Sequence, residues 1–316
     1  MMTRARVVVA GTLPAAGLDL LRQRFVVEAG GDRPEAGWLR EHAPGAAAIV
    51  ASPSIPVDRD LLDTAGTSLK VVSNFGVGYD NIDLDAARAR GVRATNTPDV
   101  LSNATAELAV ALMLATGRCI AEGDALVRRL EWTGWGPEEF LGRELAGATV
   151  GLVGFGRIAR RVAELLRGFE VQLLFTSRSA PASPTGAERR ELPALLAAAD
   201  FVSLHVPLTP QTRHLIDAEA LATMKAGGIL VNTSRGAVVD TAALVEALRS
   251  GHLAGAGLDV YEDEPHVPPE LRELPNTVLL PHVGSATRTT RDAMARLCAE
   301  NVIAVMDGRE PPAAVA

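Results

Sequence analysis

The stretch Val150–Arg160, VGLVGFGRIAR, decides the fold of this chain. Its apolar beginning predicts a buried strand and its end predicts the start of a helix, with Gly154, Gly156 and Ala159 at the G-x-G-x-x-G/A positions. Glycines there let the backbone turn sharply and approach a pyrophosphate, whose charge the free N–H groups of the helix start can bind. The stretch therefore predicts a dinucleotide-binding loop within a strand–helix–strand unit.

Short β-branched runs alternate with helix patterns along the whole chain, which is typical of parallel sheets built from βαβ units. In the first part of the chain, strands are predicted at 6–10, 48–51, 70–73 and 92–95, and a helix at 14–24. A second alternation predicts strands at 149–153, 171–175, 201–204, 229–232, 255–259 and 278–280, with helices at 157–168, 192–198, 217–224 and 240–250. The nearly uncharged run 98–117 predicts a buried helix, and 288–306 predicts a last helix that returns to the first domain.

A chain of 316 residues is long for one hydrophobic core, so two domains are expected. We predict an α/β protein with two Rossmann-like or flavodoxin-like parallel-sheet domains separated by an active-site cleft. The first domain is discontinuous and comprises 1–98 plus 286–316, and the second, which carries the glycine loop, comprises 99–285. Residues 180–186, APASPTG, predict a mobile loop.

Composition excludes several classes of protein. The net charge is −7 and the arginines are scattered among acids, so nucleic acid is not an expected partner. The two cysteines, Cys119 and Cys298, form no CxxC pair and stand beside no histidine cluster, so no metal site is predicted. No run is apolar enough for a signal-peptide core or a membrane span, and we expect a cytoplasmic protein.

The end of the strand that follows the glycine loop bears on the cofactor. NAD-binding domains usually place Asp or Glu there for the adenosine ribose, whereas NADP-binding domains need room and positive charge for the 2′-phosphate. Here the run is Phe175-Thr176-Ser177-Arg178-Ser179, without an acid. Ser177 and Arg178 therefore favour NADP(H) over NAD(H), although Arg178 could instead be a solvated loop charge.

Polar residues follow three more predicted strands, at the sheet edge where ligands bind in open α/β folds. Arg235 could hold a substrate carboxylate and polarise a keto oxygen, because a guanidinium offers a fork of donors. His282, beside a carboxylate, could give or take the proton that accompanies hydride transfer. Asp259 and Glu264 follow the strand between them. Each residue alone has a structural alternative, but together they predict a catalytic set.

These motifs resemble the D-isomer-specific 2-hydroxyacid dehydrogenases. The resemblance rests on VVSNFGVGYDNID, TNTPDVLSNATAELA, GLVGFGRIA, HVPLTPQTRHLI, LVNTSRGAVVD, GAGLDVYEDEP and PHVGSAT, which occur in this order. It implies a substrate-binding domain made from both chain ends, a central cofactor domain and usually a homodimer. The catalytic residues it implies are Arg235, Glu264 and His282. The substrate-binding residues it implies are the amides of Val77 and Gly78, Arg235, and Ser52 in the loop 51–55.

The same resemblance implies a set of cofactor contacts beyond the glycines. The set comprises Thr105, Gly154, Phe155, Gly156, Arg157, Ile158, Ser177, Arg178, Val206, Pro207, Thr212, Thr233, Asp259, His282 and Gly284. Ala159 at the third glycine position is a permitted variant.

Within the family, WTGWGPEEFLGRELAG and the sequence after Pro281 look most like the glyoxylate/hydroxypyruvate reductases, many of which use NADPH. In that branch a tryptophan reaches into the partner subunit's site, and Trp135, or as second choice Trp132, is the candidate. Ordinary loop packing is the alternative. Glu264 in place of Gln argues against the formate dehydrogenases, and the lack of a long C-terminal extension argues against the regulated phosphoglycerate dehydrogenases.

The expected activity is NAD(P)H-dependent reduction of glyoxylate or hydroxypyruvate to the D-2-hydroxy acid, with His282 as proton donor. Two alternatives stay open. The substrate could be another acid of this type, such as D-lactate, 3-phosphoglycerate or a bulky keto acid. The protein could also be a non-catalytic, nucleotide-sensing dimeric protein of the same fold.

Overall fold

The computed structural model describes residues 4–33, 35–178 and 186–315. The chain forms two compact units, Met1–Leu101 with Ser285–Ala316, and Ser102–Gly284. The first unit thus ends after Leu101 rather than 98, and resumes at Ser285 rather than 286. The mobile loop predicted at 180–186 lies, apart from Gly186, outside the described residues.

The first unit contains a five-stranded parallel sheet with strand order β2-β1-β3-β4-β5, the flavodoxin-like order. Because both faces of such a sheet are covered, every residue of β3 and β4 is buried, including the polar Ser73 and Asn74 at the end of β4. The strands are β1 Arg6–Val9, β2 Val26–Ala29, β3 Ala48–Ala51, β4 Val71–Asn74 and β5 Arg93–Thr95.

Five helices cover this sheet: α1 Ala15–Arg24, α2 Ala36–His42, α3 Arg59–Ala65, α4 Leu84–Ala89 and, from the far end of the chain, α12 Arg288–Met306. The last helix packs against α1 and β4. The contact with α1 requires a glycine, because a Cβ at Gly17 would lie 2.1 Å from the carbonyl oxygen of Ala295.

The second unit contains a seven-stranded parallel sheet with order β12-β11-β10-β9-β6-β7-β8. Six strands follow the Rossmann order, with β6 at the point where the order reverses, and β12 extends the far edge. The strands are β6 Thr149–Val153, β7 Gln172–Thr176, β8 Glu188–Arg189, β9 Phe201–Leu204, β10 Gly228–Asn232, β11 Leu253–Leu258 and β12 Thr277–Leu279. The two sheets confirm the predicted class of two parallel-sheet α/β domains.

Helices pack against this sheet in two separate hydrophobic cores. They are α5 Ser102–Gly117, α6 Ile120–Arg128, α7 Arg157–Leu165, α8 Leu192–Ala198, α9 Ala218–Thr223, α10 Thr241–Arg249 and α11 Pro269–Arg272. Helix α5 buries Ala106, Ala109, Leu112 and Met113 against one sheet face, as its uncharged sequence predicts. No single helix in the described ranges is long and apolar enough to cross a membrane. Helices α5 and α6, which are bent by 65° relative to each other, are together long and apolar enough for a span, by length and composition alone.

Several elements were not predicted from the sequence: β2, α2, α3, α4, α6, β8 and α11. They are short, with at most nine residues each, so a hydrophobic pattern repeats only once or twice within them. Other boundaries shift. The helix predicted from 98 begins at Ser102, since Asp99 has a φ of 68°, and the strand predicted at 255–259 runs from Leu253 to Leu258.

Candidate active site

The glycine loop joins β6 to α7, and different physical reasons account for its two glycines. Gly154 has a φ of 91°, and a Cβ there would lie 2.6 Å from the carbonyl oxygen of His205. Gly156, in contrast, has an ordinary negative φ, and a Cβ there would meet open space. Gly156 also begins α7, which has no side-chain cap at its N-terminus. The fold thus needs Gly154, whereas Gly156 keeps clear the space in front of the α7 amides.

The adenosine end of the predicted cofactor site lies where β7 ends. Phe155 stacks on Phe175 with ring centroids 4.1 Å apart, which fixes the glycine loop against this strand. Ser177 and Arg178 follow the strand, and Arg178 is exposed. The guanidinium of Arg189, on the neighbouring β8, donates to the carbonyl of Ser177 at 3.2 Å. Arg189 also pairs with Glu191 at 3.4 Å. The strand end itself therefore offers the Arg178 charge and no acid in the described residues 175–178.

Two buried polar atoms at the ends of β9 and β10 lack a hydrogen-bond partner within the part of the chain that the structure describes. They are Nε2 of His205 and Oγ1 of Thr233. Burial lowers the pKa of His205 to about 4, so the ring is neutral at physiological pH. Buried polar groups are seldom left unpaired in a native protein. Together with the uncapped helix and the open space at Gly156, these atoms fit the binding of a dinucleotide.

The remaining predicted cofactor contacts after β9 form a closed turn. Val206 and Pro207 follow the strand, and the hydroxyl of Thr212 donates to the carbonyl of Pro207 at 2.7 Å. The same hydroxyl accepts the backbone N–H of Thr209 at 2.8 Å. Thr212 thus fixes the shape of this loop from within.

Arg235 sits on a loop that the last residue of β10 organises. Asn232, 1% exposed, donates from Nδ2 to the carbonyl of Arg235 at 2.9 Å and accepts the N–H of Ser234 at 2.9 Å. The loop then packs directly on the next one, since a Cβ at Gly236 would lie 1.8 Å from the carbonyl carbon of Tyr261. Arg235 is therefore carried by a backbone with little freedom to move.

Glu264 and His282 form a hydrogen-bonded pair, with Oε2 of Glu264 2.8 Å from Nδ1 of His282. The other carboxylate oxygen accepts the N–H of Tyr261 at 3.0 Å. Burial opposes ionisation of Glu264, but the hydrogen bond and charge of His282, with the Tyr261 amide and the Arg235 charge, outweigh it. The pKa of Glu264 is therefore below its ordinary value. An ionised Glu264 holds the His282 ring and leaves Nε2 as the nitrogen for proton transfer.

Asp259 holds the loop that carries His282. Its carboxylate is almost fully buried and accepts the N–H groups of Val283 at 2.7 Å and Gly284 at 2.8 Å, while its carbonyl accepts the N–H of His282 at 2.9 Å. Burial raises the pKa of Asp259 even against these bonds and the charge of His282. The hydroxyl of Thr105 completes the arrangement by donating to the carbonyl of Gly284 at 3.1 Å. Contacts of these residues with a cofactor stay a prediction.

Tyr261 is a residue of this site that the sequence reasoning missed. Its hydroxyl donates to the carbonyl of Leu280 at 2.9 Å, just before Pro281 and His282. Burial, together with the nearby charges of Asp259 and Glu264, raises the pKa of Tyr261 to about 12. Its place in the sequence, between the two acids that follow β11, was the available clue.

The predicted substrate-binding residues of the first unit lie on two neighbouring strand ends. Ser52 follows β3, and its hydroxyl lies 3.0 Å from that of Ser54. Val77 and Gly78 follow β4, and their carbonyls accept side-chain N–H groups from Asn96 at 2.7 Å and Asn74 at 2.6 Å. The sequence reasoning missed both asparagines, although each stands at a strand end, where ligand-binding residues are expected.

The two candidate tryptophans lie in the irregular segment after α6. Trp135 is 84% exposed and Trp132 is 59% exposed. Leu130 and Leu141, in the same segment, are also largely exposed. The second unit therefore presents an apolar segment that it does not itself cover.

Neither cysteine belongs to the site. Cys298 is buried in α12, where burial raises the pKa of its thiol to about 12, and Cys119 precedes α6. Within the described ranges, no three His, Cys, Asp or Glu side chains are grouped so that they could hold a metal ion.

Comparison with known proteins agrees with this geometry. Residues 110–284 match the family model described as "D-isomer specific 2-hydroxyacid dehydrogenase, NAD binding domain". The chain is 45% identical to a glyoxylate reductase of Thermococcus litoralis, over 98% of this chain and 96% of the relative.

Solved structures superpose on nearly the whole length of this chain. A protein of Thermus thermophilus superposes with a TM-score of 0.93 at 47% identity, covering 98% of this chain and 100% of that one. An NADPH-dependent glyoxylate/hydroxypyruvate reductase of Sinorhizobium meliloti, solved with NADP and malonate, gives a TM-score of 0.89 at 38% identity, covering 99% and 97%. The chain therefore belongs to the D-isomer-specific 2-hydroxyacid dehydrogenase family, an oxidoreductase family.

Proposed function

We propose that this protein reduces small 2-keto acids, glyoxylate and hydroxypyruvate, to the D-2-hydroxy acids. The observation that carries the proposal is the Glu264–His282 pair at 2.8 Å, on the same sheet edge as the Arg235 loop and the glycine loop. A histidine held by a carboxylate is suited to proton transfer, and the sheet edge is where a dinucleotide binds in this fold. The names of the similar reductases support glyoxylate and hydroxypyruvate as the substrates.

The nicotinamide, when bound, supplies the hydride that adds to C2 of the keto acid. The protein's own groups bind the substrate and handle the proton. The amides of Val77 and Gly78, together with Arg235, hold the carboxylate, and Arg235 also polarises the ketone. His282 donates a proton from Nε2 to the oxygen that becomes the product hydroxyl, while Glu264 keeps the ring oriented and stabilises its charge.

The cofactor of this proposal is NADP(H) rather than NAD(H). Its support is the sequence at the end of β7, where Ser177 and the exposed Arg178 follow the strand and no acid stands among them. A phosphate on the adenosine ribose would meet the Arg178 charge there, whereas the strand end itself offers no carboxylate for the ribose hydroxyls of NAD. The Gly156 space and the α7 N-terminus would hold the pyrophosphate.

The decisive test is the oxidation of NADPH, and separately NADH, by the purified full-length protein. Glyoxylate, hydroxypyruvate, pyruvate and phenylpyruvate are compared at neutral pH. We expect the highest kcat/KM with NADPH and the two small acids. A preference for phenylpyruvate would overturn the substrate class, a preference for NADH would overturn the cofactor assignment, and turnover of none of the four would favour a nucleotide-sensing protein.

The proposal includes a homodimer formed by the exposed face of α6 and the apolar segment after it. Ile120 and Val127 of α6 are more than half exposed, as are Leu130, Trp135 and Leu141 of the segment, and large aromatic residues commonly anchor protein interfaces. Light scattering is expected to give twice the mass of 33.1 kDa. Trp135→Ala should weaken the dimer, and if Trp135 also reaches the partner subunit's site, KM should rise at concentrations where the variant is still dimeric.

A further inference from the structure

Three consecutive carbonyls of the loop after β4 accept hydrogen bonds from inside the first unit. The carbonyl of Gly76 accepts the backbone N–H of Thr97 at 3.0 Å. The carbonyl of Val77 accepts Nδ2 of Asn96 at 2.7 Å, and that of Gly78 accepts Nδ2 of Asn74 at 2.6 Å. The orientation of each peptide plane in this loop is therefore fixed.

A fixed carbonyl also fixes the next amide. These peptide bonds are trans, so the N–H of each plane points opposite to its C=O. The bond from Thr97 therefore orients the N–H of Val77, and the bond from Asn96 orients the N–H of Gly78. Among the described residues of the first unit, no acceptor takes a hydrogen bond from either amide. The amide of Val77 is thus directed away from Thr97, and the amide of Gly78 away from Asn96.

The asparagines are themselves held by buried partners. Asn96 is 6% exposed, and its own carbonyl accepts Nδ2 of Asn301 at 3.0 Å. Asn301, fully buried in α12, accepts the N–H of Ala313 on its Oδ1 at 3.1 Å. On the other side, Nδ2 of Asn74 also donates to Asn81 at 3.0 Å. A continuous buried hydrogen-bonded chain therefore connects the C-terminal part of the protein to the loop.

We propose that Asn96, supported by Asn301, is a positioning residue that orients the amide of Gly78, beside the Val77 amide that the Thr97 bond orients, to bind the substrate carboxylate. The proposal rests on the proposed function, which assigns those amides to the carboxylate. Donors that are oriented before the ligand arrives bind a charge without reorganising, and this is the advantage of holding the loop through rigid buried amides. Aspartate in place of Asn96 would present an oxygen, rather than a donor, to the carbonyl of Val77.

The test compares Asn96→Ala and Asn96→Asp with the wild type, using NADPH and both keto acids. We expect KM for glyoxylate and hydroxypyruvate to rise about tenfold in Asn96→Ala, and further in Asn96→Asp, with kcat changed less than about twofold. The inhibition constant of oxalate, a carboxylate that is not reduced, should rise in parallel. The Kd of NADPH, measured by its fluorescence, should not change. Asn276→Ala, which removes a similar side-chain bond to the carbonyl of Leu248, is the matched control and should leave all constants unchanged.

Unchanged KM and oxalate inhibition in both Asn96 variants would overturn the positioning role while leaving the proposed function intact. If the wild type reduces neither acid, the proposed function fails. Calorimetric binding of oxalate to the NADP⁺-saturated protein then decides the role of Asn96, because equal affinity in wild type and Asn96→Ala would overturn it. If the Asn96 variants do not fold, Asn301→Ser replaces them, and it should raise KM by a smaller factor; an unaltered KM there would contradict the proposal.

Discussion

Nδ1 of His282 lies 2.8 Å from Oε2 of Glu264, and the backbone N–H of His282 lies 2.9 Å from the carbonyl of Asp259. Two acids that follow β11 therefore fix one histidine, Glu264 through the ring and Asp259 through the backbone. The φ of His282, 53°, is in the left-handed region that few non-glycine residues adopt. Such a conformation persists where the surroundings impose it, and functional sites often contain one.

Glu264→Gln should lower kcat for reduction by about 100-fold, because a neutral amide stabilises the charged imidazole far less than a carboxylate does. The variant should also lose the acid limb of the rate profile. Since the pKa of Glu264 lies below its ordinary 4.5, the wild-type enzyme should keep its activity until the pH falls below that value. The measurement is kcat between pH 3.5 and 9 for both proteins. A wild-type acid limb that survives in Glu264→Gln would mean that another group causes it.

His282→Ala should lower kcat by about 100- to 10,000-fold, because it removes the proton donor, with the Kd of NADPH within about twofold of wild type. Stopped-flow turnover and NADPH fluorescence measure the two quantities. His252→Ala is the control, because the His252 ring bonds to the carbonyl of Leu221 at 3.0 Å and the residue directly precedes β11, at the opposite end of that strand from Asp259. Similar losses in both variants would point to a general effect on folding rather than to proton transfer.

Gly154→Ala and Gly156→Ala should fail in different ways. The Cβ of the first meets the carbonyl oxygen of His205 at 2.6 Å at a φ of 91°, so its melting temperature should fall by several degrees. The second meets open space and should melt like the wild type or higher, while its methyl group takes space in front of the α7 amides. We expect its Kd for NADPH to rise at least tenfold. Wild-type affinity in Gly156→Ala would remove the pyrophosphate from this position.

Much of the fold could be predicted from the sequence, because buried parallel strands appear as short β-branched runs. The runs that became β3, β4 and β6 are buried along their length and are found within a residue or two of their predicted bounds. By contrast, β8 has only two residues, both charged, and exists through its pairing with β7. Its sequence carries no strand pattern, so only the three-dimensional neighbour could reveal it.

Two of the missed helices did carry a start signal. Asp58 and Asp83 cap α3 and α4, each accepting the N–H of the third residue along. An acid before a short apolar run is a known helix start. These helices have only seven and six residues, less than two helical turns, so their apolar pattern hardly repeats after the cap.

In the candidate site, the residue types at strand ends and a carboxylate beside His282 could be predicted, but their bonds to the backbone could not. Arg235, Glu264 and His282 are identifiable because the carboxyl ends of parallel strands meet at one sheet edge. The bonds of Asp259 to the amides of Val283 and Gly284 depend on the left-handed turn at His282, which no sequence rule specifies.

Asp200→Asn should destabilise the second unit at neutral pH. Asp200 accepts Nζ of Lys225 at 2.7 Å and the N–H of Thr149 at 2.9 Å, and pairs with Arg143. Burial opposes its ionisation, but these partners outweigh burial and hold its pKa below the ordinary 3.8. A carboxyl group whose pKa is lower in the folded than in the unfolded protein stabilises the fold at pH values above its unfolded pKa. That contribution is lost as the pH falls through its folded pKa. The substitution should cost about 1–3 kcal/mol at pH 7 and less as the pH falls toward 3.

Urea unfolding at pH 7 and at acid pH measures this difference. Asp124→Asn is the matched control, because Asp124 pairs with Arg128 one helical turn away at 2.7 Å on an exposed surface. Exposed pairs of this kind contribute little to stability, so the free energy of unfolding of Asp124→Asn should stay close to that of the wild type at both pH values. A pH-independent loss in Asp200→Asn would mean that packing, rather than charge, explains the effect.

Arg178→Ala should separate the two cofactors. If the Arg178 guanidinium binds the 2′-phosphate, its removal should raise KM for NADPH about 10- to 100-fold, because one or two charge-assisted hydrogen bonds are lost. The KM for NADH, which lacks this phosphate, should not change. Arg249→Ala is the control, because Arg249 is exposed on α10 and pairs with Glu246 one helical turn away, at 2.6 Å. Steady-state kinetics with glyoxylate and each cofactor give the ratio directly. Equal changes in the KM of NADPH and of NADH would mean that Arg178 contacts a part of the nucleotide that the two cofactors share. No change in either KM would leave Arg189, whose guanidinium contacts the carbonyl of Ser177, as the charge at this strand end.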